Sequence, residues 1–378
     1  MENNIIERIE NEIDKLNNMS FNILFYVPDA KNNSNGYISY IYQMAQALIK
    51  LGYNVKMIYN LDNEYSADEI EELERKNEYI DENRIFEGVK DSLGDGYSNI
   101  EHINISKSEL NISPSDFLII PEVFSQVMNQ TKKLACKRIV LAQNFDYLTD
   151  FIPLGVSWAN FGITDVIAST EKQSELVKSV FPFVKTSIIN PYIPSFFYNE
   201  EPKKLVVNLL CKNQKDINKI IKPFYWKYPM FKWVSFRDLR GFPRETFADI
   251  LREGAITIWV DEDTQFGYSA LEAMKSGSIV IGKIPKLVPE WMEKDGKLLD
   301  NALWFDDITT VHKLIAEVVY GWMRDEISDS LINEMKNTSE KYQYDKYYKN
   351  VEDTFKKYVD ERKKDFEEVL IIAKNETK

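Results

Sequence analysis

At 378 residues, 44% hydrophobic and 13% aromatic, the chain carries more core material than one ordinary domain uses, which points to two domains and excludes wholesale disorder. A formal charge of −13 and a pI near 4.9 oppose a protein that coats nucleic acid or an anionic membrane, since such binding is driven by neutralising phosphates. Cys136 and Cys211 are the only cysteines, too few for a disulfide framework or a four-thiolate zinc site, and a reduced cytoplasmic setting is expected.

The opening residues, 1–19, are acidic and amphipathic. Ile5, Ile9, Ile13 and Leu16 share one helical face, and the apolar core of a signal peptide is missing. No run reaches the roughly 20 apolar residues of a spanning helix, so no transmembrane segment is expected. FNILFYVPD (21–29) is a short apolar strand that stops at turn residues. A polar loop ending in Asn35-Gly36 follows, and then Ile38, Ile41, Met44, Ala45 and Leu48 recur at helical spacing up to Gly52. VKMIYN (55–60) is the next strand, completing the strand–helix–strand unit of a parallel sheet. Residues 62–95 interrupt with thirteen acidic and four basic residues; a solvated helix and loop is preferred to a metal site, because nothing fixes those carboxylates around one point. The alternation resumes with strands at 116–121, 137–143, 165–170 and 186–191.

The Pro-rich stretch 190–204 is the best linker candidate. Beyond it KKLVVNLL, FKWVSF, GAITIWV and GSIVIG begin a second α/β series. From about 335 onward the chain is charged and helical. The expected domains are an N-terminal helix (1–19), a first Rossmann-like domain (20–195), a second (196–335) and closing helices (336–378).

DEDTQFGYSALEAMKSGSIVIG (261–282) carries the most chemistry. Asp261, Glu262 and Asp263 follow a buried strand, in the loop beyond its carboxyl end, where open parallel sheets place ligands. Phe266-Gly267 turns into a helix starting near Tyr268, whose free N–H groups and partial positive charge suit a phosphate. Glu272 lies five residues past Gly267, about 7.5 Å along the axis, within reach of a ribose diol. A surface helix glutamate is the plain alternative, but the small residues Ser269, Ala270 and Ala273 leave room for a ligand. Asp261-Glu262-Asp263 also admits a metal reading, since Asp-x-Asp after a strand can hold a divalent ion; an acidic loop without metal is preferred.

The segment resembles the donor-site signature of GT-B glycosyltransferases of family four (glycosyl transferases group 1): Phe266, Gly267, Leu271, Glu272, Ala273, Met274 and Gly277 match in order and spacing. The family's first glutamate is Thr264 here, the glycine after it is Gln265, and a common proline is Ser269. Residues 34–55 are similar to the family's first loop and helix, 164–182 to an element near the end of its first domain, and 339–358 to its closing helix. The histidine often found after the strand at 137–143 is absent, and His102 and His312 stand in ordinary contexts.

The resemblance implies a GT-B fold: two doubly wound Rossmann-like α/β domains facing a cleft, with C-terminal helices crossing back. It implies transfer of a sugar from a UDP- or GDP-linked nucleotide sugar to a saccharide or other hydroxyl acceptor, with retention of configuration and without metal. Lys212 and Lys215 would stabilise the leaving diphosphate together with the helix start, and Glu272 would hold the ribose. Gly36, Gln265, Phe266, Gly267, Tyr268 and Ser269 complete the expected donor site; no cofactor is expected.

Two other readings stand beside it. Residues 203–244 carry eleven Lys or Arg against only Asp216 and Asp238, with aromatics interleaved, the composition of a nucleic-acid groove and compatible with a phage-type enzyme that glycosylates a hydroxylated DNA base. For most of these residues a solvated helix face over buried aromatics is the simpler expectation. Thr264 in place of glutamate also admits a non-catalytic nucleotide-binding module.

Overall fold

The computed structural model describes residues 2–27, 36–60, 100–106, 109–199, 202–242 and 244–376; the acidic segment 62–95 lies outside them. The chain divides into two compact units. The first comprises Met1–Ala168, Ser174–Ile189 and Tyr348–Lys378, and the second Ser169–Gln173 and Asn190–Tyr347.

In the first unit α1 (Glu2–Asn17) is followed by β1 (Asn22–Tyr26), α2 (Gly36–Lys50), β2 (Asn54–Tyr59), β3 (Glu101–Asn104), β4 (Phe117–Pro121), α3 (Ser125–Gln130), β5 (Lys137–Ala142), α4 (Phe145–Phe151), β6 (Asp165–Ala168), α5 (Glu171–Val180) and β7 (Lys185–Ile188). The strands form one parallel sheet in the order β3-β2-β1-β4-β5-β6-β7. Its central strands read as unbroken apolar runs because helices cover both faces: FLIIP of β4 is buried at every residue. The sequence direction reverses between β1 and β4, which makes the gap beyond their carboxyl ends the switch point of the sheet. The N-terminal helix is tied down rather than dangling, since the Glu12 carboxylate accepts from the Ser113 hydroxyl and the Ser115 amide, both at 2.9 Å.

The second unit contains β8 (Lys204–Cys211), α6 (Gln214–Lys227), β9 (Ser235–Asp238), α7 (Arg244–Glu253), β10 (Gly254–Val260), α8 (Tyr268–Lys275), β11 (Ile279–Lys283), a two-residue antiparallel pair β12 (Glu293–Lys294) and β13 (Lys297–Leu298), β14 (Leu303–Phe305), α9 (Val311–Arg324) and α10 (Asp329–Ser339). Its parallel sheet runs β14-β11-β10-β8-β9, with the switch point between β8 and β10. The strand expected at FKWVSF starts only at Ser235. Phe231 instead closes a short 3-10 turn and is buried with its ring stacked on Phe224, 6.0 Å away, so side-chain packing overrides the apolar run.

The long closing helix α11 (Tyr344–Glu376) begins in the second unit and from Tyr348 belongs to the first. There Asn350 donates to the Ile188 carbonyl at 2.9 Å, Tyr358 to the Ser187 hydroxyl at 3.1 Å and Arg362 to the Pro114 carbonyl at 2.7 Å, while Phe355 is fully buried.

Beneath the start of α8, Trp259, Trp291 and Trp304 cluster with centroids 5.9–6.4 Å apart. Glycines let the backbone meet this cluster. A Cβ on Gly282 would fall 2.3 Å from the Trp304 ring, the residue it faces across the β11–β14 ladder. Gly282→Ala should therefore destabilise the second unit by about 1–3 kcal/mol through overpacking, read as a lower urea midpoint; an unchanged midpoint would mean that Trp304 yields freely.

Candidate functional site

The strand–turn–helix at 254–275 forms as the sequence suggests. β10 is buried throughout, and Gly267 is the N-cap of α8 in the left-handed region, φ 79°. Thr264 closes the turn, its Oγ1 accepting the Gly267 amide at 2.9 Å. The Phe266 carbonyl accepts the Trp291 indole N–H at 2.5 Å, and its ring is buried edge-on to Tyr268 and Tyr342. Phe266 and the buried Gly267 thus build the turn from within rather than presenting side chains to a ligand. Gln265 is buried as well, whereas Tyr268 and Ser269 are partly exposed at the helix start.

Glu272 is wholly buried, and both of its oxygens are taken by one guanidinium: Arg244 Nη1 reaches Oε2 at 3.0 Å and Nη2 binds Oε1. Arg244 is itself a quarter exposed, with its guanidinium carbon 4.9 Å from the Phe197 ring centroid and 5.7 Å from that of Phe247. Arg244 opens α7, beyond the carboxyl end of β9, so the sheet brings it beside a helix 28 residues further on. In the sequence Arg244 was legible only as one more basic residue in a basic stretch.

The acids 261–263 each meet a lysine. Lys212 Nζ lies 2.7 Å from Asp261, Lys286 2.6 Å from Asp263, and Lys283 3.8 Å from Glu262 and 2.9 Å from Asp306. The Lys212–Asp261 pair spans the β8/β10 switch point. Lys215 sits in the first turn of α6, whose N-cap Asn213 accepts its amide at 2.8 Å; it is exposed and has no ion-pair partner among the described residues. Lys212 and Lys215 thus share the loop and helix start after β8. No cluster of three or more His, Cys, Asp or Glu able to hold a metal occurs among the described residues. Cys211, at the end of β8, is no nucleophile, because burial, then Asp216 and Asp238, push its thiol up to about 12. The basic-aromatic segment divides: Phe224 and Phe231 are core, while Trp226 and Trp233 are 76% and 55% exposed.

Gly36 belongs to the first unit, exposed at the start of α2. Beside it stands a residue that periodicity did not single out. Glu122 directly follows β4 and is completely buried, its Oε1 accepting the Gln143 and Asn144 amides at 2.8 Å each and its Oε2 the Tyr37 hydroxyl at 3.1 Å. Burial pushes its carboxyl up to about 7 against the pull of these donors. The available signal was an acid placed immediately after an all-apolar strand. The histidines are structural: His102 bonds Tyr42 at 3.0 Å and the Ile100 carbonyl, and His312 the Thr309 carbonyl.

The two doubly wound units and returning helix define the class: the chain has the GT-B fold of glycosyltransferases. The pneumococcal O-GlcNAc transferase GtfA, solved with UDP and GlcNAc, aligns at TM-score 0.57 and 12% identity over 90% of this chain and 99% of that one. Sucrose-phosphate synthase from Thermosynechococcus elongatus aligns at 0.55 and 11%, over 89% and 99%. In sequence, an alpha-1,6-glucosyltransferase of Actinobacillus pleuropneumoniae serotype 7 is 27% identical over 183 residues, 47% of this chain; the chain covers 56% of that relative's length. No family model matches. No helix among the described residues is long and apolar enough to cross a membrane.

Arg244→Ala should strip a buried carboxylate of its cation and lose about 3–5 kcal/mol, whereas the double variant Arg244→Met/Glu272→Leu should lose much less; equal losses in chemical denaturation would refute the pairing. Glu122 tests the opposite sign. Because its folded-state pKa lies above the ordinary 4.5, the fold binds its proton more tightly than the unfolded chain, and stability falls as pH rises from about 4.5 to about 7. Glu122→Gln should match the parent near pH 4.5 and exceed it by up to about 3 kcal/mol above pH 7, measured by urea melts across that range.

Proposed function

We propose that the chain is a glycosyltransferase that takes a sugar from a nucleotide-sugar donor and passes it to a hydroxyl acceptor, saccharide or otherwise. The observation that carries this reading is the second unit's switch point: a helix start behind the Phe266-Gly267 turn with Glu272 inside, and Lys212, paired with Asp261 across the β8/β10 switch point, followed by Lys215 on the neighbouring loop and helix start, on a GT-B fold. The diphosphate sits at the partly exposed Tyr268–Ser269 end of α8. There the helix dipole and the two lysines stabilise negative charge as the bond to the sugar breaks. The loop acids hold Lys212 and Lys286 in place until a phosphate competes for them.

Glu272 is the ribose residue in this scheme, and Arg244 its gatekeeper. Since the guanidinium occupies both carboxylate oxygens from the more exposed side, a ribose diol reaches Glu272 by sharing those oxygens or by displacing Arg244. Thr264, where the resembled family signature has glutamate, serves the turn, so the donor sugar is gripped by other groups in this scheme. The lysines take the charge-neutralising part that a metal plays elsewhere, and retention follows if the departing phosphate accepts the acceptor's proton. The relative named for alpha-1,6-glucosyl transfer and the neighbour solved with UDP support a UDP-linked donor such as UDP-glucose.

Melting the protein with UDP-, GDP- and ADP-linked sugars should reveal one class that raises Tm, since a ligand bound only by the native state stabilises it. Lys212→Ala together with Lys215→Ala should abolish that rise while leaving the ligand-free Tm within about 1–2 °C, as expected for exposed lysines. No shift with any sugar nucleotide, and no release of nucleoside diphosphate on long incubation, would leave a non-catalytic module; NMR of the product tests retention.

A further inference from the structure

Glu122 presents an energetic puzzle. A carboxylate with no surface exposure, and no lysine or arginine paired with it among the described residues, costs the fold stability whenever it is ionised. It is surrounded by donors alone, two amides and a phenol, which is the arrangement that suits the ionised form. The titratable groups facing it are Tyr37 and Tyr40 on α2, both held neutral with pKa values well above the ordinary phenol, and Tyr147 of α4, whose ring meets Tyr37 edge-on at 5.6 Å. A group that weakens the fold when ionised is retained for position rather than for stability.

The position is the switch point of the first sheet. Glu122 follows β4, Tyr37 lies in the first turn of the helix after β1, and Gln143-Asn144 follow β5, so one side chain joins the ends of two strands and a helix start at the edge where parallel sheets bind ligands. The joint is reinforced on both sides. Gln143 Nε2 donates to the Tyr37 carbonyl at 3.2 Å, and the Asn144 side chain caps α4 by accepting the Asp146 amide at 2.9 Å.

We propose that Glu122 is a positioning residue whose ionised carboxylate holds the Gly36–Tyr37 helix start and the Gln143–Asn144 loop in register for the hydroxyl acceptor, and whose protonation loosens them. The link to the acceptor rests on the glycosyltransferase reading; the grip on the loops does not. On protonation the new O–H needs an acceptor, and the Tyr37 oxygen is the one in reach. Tyr37 must then turn its own proton elsewhere, so this hydrogen bond reverses, and the two amides face a neutral oxygen instead of a charged one. Glu122→Gln copies that protonated arrangement, its amide donating to the Tyr37 oxygen.

The test has two arms on the full chain. In the first, backbone hydrogen exchange of Gln143 and Asn144 through local openings that break their bonds while Glu122 stays buried, corrected for the intrinsic pH effect, should slow by up to about tenfold between pH 6 and pH 8 in the parent, opposite in sign to the global stability, as the ionised fraction rises through about 7. Glu122→Gln should exchange at both pH values as the parent does at pH 6, and Tyr37→Phe, lacking one donor to the carboxylate, should move the inflection upward. Equal protection at both pH values in the parent, or the same pH dependence in Glu122→Gln, overturns the proposal. In the second arm UDP-glucose is the donor probe and p-nitrophenyl glucoside the acceptor probe. The acceptor KM of the parent should rise as pH falls below 7 while the donor KM stays level, and Glu122→Gln should show the raised acceptor KM at every pH. A donor KM that moves with the acceptor KM, or an acceptor KM that ignores pH, removes the acceptor role. Failure to turn over any sugar nucleotide counts against the glycosyltransferase reading, and the exchange arm then decides the grip alone.

Discussion

The parallel hydrogen-bond ladder is the constraint on which the rest depends. Every strand pair in the two large sheets runs the same way, so each strand must be followed by a crossover that returns the chain, and every loop beyond a carboxyl end gathers on one edge. That edge collects residues far apart in sequence: Lys212, Arg240 and Asp261 in the second unit, Tyr37, Glu122 and Asn144 in the first. The apolar runs that make the strands specify little about those residues individually, yet they fix where each loop emerges. Chemistry follows from the ladder, since side chains only need to be placed at strand ends to become neighbours.

The two buried carboxylates show how differently one problem can be met. Glu272 is neutralised by a bidentate guanidinium, an arrangement that holds the acid rigidly and couples α7 to α8. Glu122 has donors but no cation among the described residues, and its proton affinity rises to the neutral range. The first solution fixes the carboxylate against a cation on its more exposed side. The second leaves the charge itself adjustable. Around the acidic loop a third pattern appears, with Lys212, Lys283 and Lys286 facing Asp261, Glu262 and Asp263; the Lys286–Asp263 pair is the most exposed of the three and the most screened by solvent.

Much of the architecture was legible because buried parallel strands are written as continuous apolar segments. FLIIP, KRIVLA and GAITIWV needed no alternation to be recognised, and the Phe266-Gly267 turn announced its helix through a glycine that the structure holds at positive φ. The strand near 231–236 was misplaced because Phe231 reads as strand material although its ring completes the packing under α6. In the candidate site the turn, Glu272 and the two lysines could be named in advance. Their partners could not: Arg244 lay among eleven basic residues between 203 and 244, and nothing local distinguishes it from Arg240, which pairs with its neighbour Asp238. Glu122 was hidden for the same reason, since its three donors come from residues 85 positions before it and about twenty after it.

By itself, then, the order of amino acids determined the buried central strands, where the helix of the candidate donor site begins and that two α/β units follow one another, because those features depend on periodicity and on backbone sterics within a few residues. Tertiary structure alone decided that Glu272 is held by Arg244, that Thr264 is spent on closing a turn and that Glu122 meets the Tyr37 hydroxyl and the Gln143 and Asn144 amides. Those outcomes depend on which distant side chain arrives within hydrogen-bonding range, and only the completed sheets set that distance.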